Sequence, residues 1–189
     1  MSFYIKIVIY LLLSAFSTLE IVFGLFIGPK NVSECEEEFN KSQYVLILDK
    51  KSSQEFASFN SYQKRKWSFL AWSGGMIILS VGFLIYSDLK NKNQRIKNII
   101  HFLVFSFLIL NSSVLFLRGL YLDNLVYYYV YLPKLLDNIK IPTNYRQDYA
   151  DYVLSLGEQW GILKYFGIIL MLLTISLLLI KNLNKKLKL

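Results

Sequence analysis

Glu20, within Ile7 to Ile27, and Arg118, within Ile99 to Leu120, are ionisable side chains that stand inside long apolar runs. A charge at the centre of a bilayer costs about 2.5–3.5 kcal/mol even on the permissive insertion scale, so each needs a partner or a purpose. Three kinds of chemistry are open to them: an ion pair that sets helix register, an arginine snorkelling past a protonated acid, or relay of a proton or ion. Ser17, Glu20 and Gly24 share one helical face, while Asn111 and Arg118, seven residues apart, share another. The spacing predicts that these faces meet, with Glu20 accepting hydrogen bonds from Arg118 and Asn111. The structural ion pair is the leading expectation, because a transport path needs several buried carboxylates along its length and the runs below Glu20 offer only hydroxyls and Asn111.

Other chemistries lack their residues. A single cysteine, Cys35, makes no intrachain disulfide, and a single histidine, His101, builds no histidine metal site, so no metal or other cofactor is expected. The chain has no P-loop, no dinucleotide-binding glycine pattern, no nucleophile elbow and no HExxH zinc motif, which argues against an enzyme. The formal charge of +8 comes from basic residues beside apolar runs and not from a soluble basic domain, so a lipid surface, not nucleic acid, is the expected partner.

The elements that must position Glu20 and Arg118 follow from hydropathy. The 189 residues are 54% hydrophobic and 18% charged. The apolar residues gather into four blocks, 7–27, 67–86, 99–120 and 161–180, each long enough to cross about 30 Å of hydrocarbon as a helix. The first block reads as a span and not a removed secretory signal, because it continues apolar past Ala15-Phe16-Ser17 to Ile27. The fold class is therefore an all-α membrane protein, a single four-span domain whose two outer segments, 28–66 and 121–160, form a small cap. Lys and Arg number nine in the 27 residues of the N-terminus, the 87–98 loop and the tail, against ten in the 79 residues of the two long segments. By the positive-inside rule both termini are cytoplasmic, in a plasma or inner membrane. Spans one and three then run in the same direction, which puts Glu20, about 10 Å deep, and Arg118 in the same outer half of the bilayer.

The outer segments carry further signals. Cys35 to Glu38 is acidic, Tyr44 to Leu48 suits a strand or buried extended piece, and Glu55 to Lys66 leads into span two. Nine of fourteen tyrosines fall between Tyr121 and Tyr165, and residues 134–141 form a short helical piece between Pro133 and Pro142. Tyr145, Tyr149 and Tyr152 recur on one helix face as a membrane-interface belt or a partner-docking surface. In span two, Ser68, Gly75 and Gly82 form a small-residue stripe at intervals of seven that permits close helix packing. Four spans with inside termini is also the layout of tetraspanins and claudin-like proteins, but the cysteine motifs of their outer loops are missing and no family is assigned. The expected function is non-catalytic: an accessory or structural subunit of a larger membrane complex. The alternative is a small oligomeric channel or transporter with Glu20 lining the path.

Overall fold

A computed structural model describes residues 2–41, 50–90, 93–122, 133 and 146–186, and among these the chain is all-helical. Among the described residues the α-helices are α1 Ser2–Val22, α2 Gly28–Lys41, α3 Lys50–Lys66, α4 Ser68–Lys90, α5 Gln94–Leu117, α6 Arg146–Glu158 and α7 Ile162–Lys186. They fuse into four rods long and apolar enough to cross a membrane, Tyr4–Glu37, Phe56–Lys90, Gln94–Leu120 and Arg146–Asn182, and each holds one of the four apolar blocks. The expected strand at Tyr44–Leu48, the helical piece 134–141 and Tyr145 lie outside the described residues.

The joints within the rods have local causes. Pro29 has no N–H and its ring crowds the carbonyl four residues back, so the turn before it cannot stay α-helical. The chain widens there into a π-turn over Phe23–Ile27, where the Gly28 N–H reaches back to the Phe23 carbonyl, and α1 runs on into α2. A single turn at Trp67 joins α3 to α4, held by the Leu70 N–H to the Trp67 carbonyl at 3.0 Å. The expected 87–98 loop is largely helical. α4 continues to Lys90, and Asn93 caps α5 by accepting from the N–H groups of Arg95 at 3.0 Å and Ile96 at 3.4 Å.

The rods pack as a closed ring in which α1 lies against α4, α4 against α5, α5 against α7, and α7 against α1. Each neighbour in the ring runs opposite to the last, the arrangement short connections favour. Leu13, Leu70, Ile77, Leu84, Leu108, Leu115, Leu163 and Leu170 fill its centre with no exposure. The exterior is equally apolar, with Leu11, Leu79, Phe102, Leu110 and Leu172 all outward, a surface suited to hydrocarbon rather than water.

With apolar atoms on both sides, burial does not choose the contacts, and closeness of approach does. Gly24 and Gly28, four apart, lie against Trp67 and Ala71, and Gly167 lies against Phe116 and Ser112. A Cβ at Gly74 would stand 2.5 Å from the Ser17 carbonyl oxygen, whereas Gly75 next to it has open space. Gly75→Ala is therefore expected to raise monomer stability by about 1 kcal/mol, the helix-propensity difference, and Gly74→Ala to lower it by about 1–3 kcal/mol through overpacking. Unfolding of the two variants in detergent, one residue apart with opposite signs, checks this.

Candidate functional site

Two polar centres interrupt the bundle. The larger lies at the end where α4 finishes and α5 begins. Asp88, in the last turn of α4, receives Lys6 Nζ at 3.2 Å and the Tyr10 hydroxyl at 2.9 Å on Oδ2. Its Oδ1 meets Lys97 Nζ at 2.9 Å and His101 Nε2 at 3.2 Å. Helix periodicity supplies the convergence: Lys6 and Tyr10 are four apart on α1, Lys97 and His101 four apart on α5, and each pair faces α4. One carboxylate thus ties three helices. His101 is buried with its ring edge-on to Phe105 at 6.0 Å, and its Nδ1 has no hydrogen-bond partner among the described residues. The sequence alone places Asp88 and Lys97 in the basic 87–98 connection and offers His101 only as a single histidine that builds no metal site. The signal was present in two basic or polar pairs at i and i+4 flanking a lone acid, but only the α1–α4–α5 packing joins them.

The second centre surrounds Glu20, which has no solvent exposure. Gly74 lets α1 and α4 approach so closely that Glu20 Cβ packs at this glycine. Among the described residues neither carboxyl oxygen has a partner in full hydrogen-bonding geometry, and the Ser73 hydroxyl is the polar group that stands beside it. Ser17 does not help, because its hydroxyl donates to the Leu13 carbonyl at 2.6 Å. Asn111 Nδ2 donates to Ser73 Oγ at 2.7 Å, so Asn111, Ser73 and Glu20 form a polar line across α5, α4 and α1.

The expected meeting of Glu20 with Arg118 is not what the packing produces. α1 and α5 are diagonal in the ring because helices running in the same direction alternate around it. The Arg118 guanidinium lies 4.5 Å from the Phe69 ring centroid and 5.9 Å from that of Trp160, a cation over two aromatic faces. Asn111 reaches toward Glu20 only through Ser73.

The remaining expected residues also find other places. Ser68, Gly75 and Gly82 face outward, and the two glycines have nothing within 4 Å of a built Cβ, so no helix of the bundle packs on this stripe among the described residues. The close approaches instead use Gly74, one position round the helix, and the Gly24/Gly28 pair. Tyr149 and Tyr152 are 1% and 6% exposed, so neither offers a surface. Tyr149 packs edge-on to Phe56 at 5.8 Å, and Tyr152 donates to Asn60 Oδ1 at 2.9 Å, which binds α6 to α3. Lys64 pairs with Glu36 at 2.8 Å, and Gln159 donates to Cys35 Sγ at 3.1 Å, so polar contacts join α2 to α3 and to the end of α6. Trp67 and Trp160 stack at 4.2 Å where these contacts meet the apolar bundle.

No family model, curated protein or solved structure matches this chain. The geometry is therefore the only guide to function. Among the described residues no three His, Cys, Asp or Glu side chains converge as metal ligands. The Asp88 centre is a structural tie with surplus positive charge, and the Glu20 centre is a buried carboxyl without a bond. Asp88→Asn strands two ammonium groups and is expected to cost about 2–3 kcal/mol, against about 1 kcal/mol for Tyr10→Phe. Detergent unfolding of both singles and the double variant checks this, and the double is expected to fall short of the sum by at least about 0.5 kcal/mol.

Proposed function

We propose that the chain is an integral membrane protein whose role is assembly, as a non-catalytic accessory or structural subunit of a larger membrane complex. In this reading the basic end, with Lys6, Lys90, Arg95 and Lys97, faces the cytoplasm together with both termini. Helices α2, α3 and α6 form a cap on the opposite face of a plasma or inner membrane. The observation that carries the reading is the Ser68, Gly75 and Gly82 stripe. Small residues at intervals of seven let a second helix approach closely, and none of the described residues covers Gly75 or Gly82 on this face of α4. A helix from another subunit is the partner it fits. Gly75→Leu with Gly82→Leu is expected to reduce co-purification of partner subunits at least about tenfold while leaving monomer stability within about 1 kcal/mol, since neither position touches the bundle. Affinity purification from native membrane with quantitative mass spectrometry measures the first effect. Unchanged recovery of the partners rejects association through α4.

One observation favours a second reading, a small oligomeric channel or transporter. A buried carboxyl without a hydrogen bond is expensive to keep, and the Asn111–Ser73 bond aims polar atoms toward it. Under this reading Glu20→Gln abolishes ion or proton flux in proteoliposomes. Under the assembly reading flux is at background for both forms, and Glu20→Leu raises stability by about 1–3 kcal/mol because a partnerless polar group is removed.

A further inference from the structure

We propose that the groove between α1 and α4 beside Asp88 binds an anionic phospholipid, with its phosphate on Lys6 and part of one acyl chain against the groove walls. The groove has a volume of about 180 Å³. Its walls are Ile7 and Leu11 from α1, and Ile85 and Leu89 from α4. Leu11 is 65% exposed and Leu89 68%, so the walls open sideways onto the apolar exterior, where an acyl chain enters without crossing water. The groove is too small for a whole lipid and fits a stretch of one chain, the remainder lying along the bundle.

The polar end sets the headgroup. Lys6, Tyr10 and Asp88 all line this groove. Asp88 carries one negative charge and is met by two ammonium groups, Lys6 and Lys97, which leaves a surplus of one positive charge between these three groups. Lys6 lines the groove, gives one N–H to Asp88 and keeps its side chain 19% exposed, so two donors on the same nitrogen are not taken by Asp88. Lys90 and Arg95 are exposed at the same end and add to the field. A net negative headgroup phosphate matches this charge, whereas a zwitterionic headgroup brings its own cation and gains less. Basic recesses between spans at the cytoplasmic side hold acidic headgroups by this physics. None of Ser68, Gly75 and Gly82 lines the groove, so the inference stands apart from subunit association.

The test uses the full chain purified in neutral detergent and titrated with dioleoyl phosphatidylglycerol or dioleoyl phosphatidylcholine. Retained lipid is counted by native mass spectrometry, and thermal unfolding reports ligand linkage. The expected result is at least about fivefold tighter retention of phosphatidylglycerol, the factor one interfacial cation supplies. Lys6→Gln is expected to remove that preference. Leu11→Trp, at an exposed position outside the Asp88 centre, is expected to fill the groove and eject the lipid with the lipid-free unfolding temperature unchanged. Equal retention of the two lipids overturns the proposal. So does a phosphatidylglycerol preference that survives Leu11→Trp, or a stabilisation by inorganic phosphate equal to that by phosphatidylglycerol, which would mark a free-anion site.

Discussion

Among the described residues the polar ties that link α1 to α5 pass through α4, because four rods in an antiparallel ring leave those of the same direction on the diagonal. α1 and α5 each carry inward polar side chains, Glu20 and His101 among them, yet they are diagonal in the ring. Ser73 and Asp88, fifteen residues apart on α4, bridge them at two depths: Asn111 to Ser73 toward Glu20, and Lys97 and His101 to Asp88 to Lys6 and Tyr10. α4 is also the helix whose two faces differ most in their use, with Gly74 pressed onto α1 and Gly75 turned outward.

The two bridges are built on unlike terms. At Asp88 a carboxylate meets two cations, a hydroxyl and an imidazole at the rod ends, and charge-assisted bonds there are stronger than neutral ones. At Glu20 the Ser73 hydroxyl is the neighbour, and among the described residues neither oxygen has a partner in full hydrogen-bonding geometry. Stability therefore resides at the basic end and in the aromatic layer of Trp67, Trp160, Phe56, Tyr149 and Tyr152, and the middle of the bundle bears a polar group that the fold does not reward. An unrewarded buried polar group marks where function and stability diverge.

Interfaces inside an apolar exterior follow the same logic. Where both faces of a helix are leucine and phenylalanine, small residues and polar bonds decide which rods touch. Gly24 and Gly28 seat the Trp67 indole and the Ala71 backbone, and Gly167 seats α5. Those glycines are used up by the fold. Gly75 and Gly82 are not, which is why they support an external role.

The four rods and the all-helical character of the described residues were legible in the chain, because a run of twenty apolar residues has few other physical solutions, whereas the extension of three rods to 34, 35 and 37 residues was not. The polar residues at issue were legible too, Glu20, Asn111 and Arg118 among them, since an ionisable group in such a run stands out by cost alone. Their partners were not. Heptad spacing assigns Ser68, Gly75 and Gly82 to one face and Tyr149 and Tyr152 to another, but periodicity says nothing about which face turns inward. Ring order decided that: it set Glu20 apart from Arg118, buried the two tyrosines against Phe56 and Asn60, and brought Lys6, Tyr10, Lys97 and His101 to a single carboxylate. Composition along the chain determines how each segment meets its solvent, whereas the neighbour of each face depends on close contacts between distant segments, and these exist only once the rods are assembled.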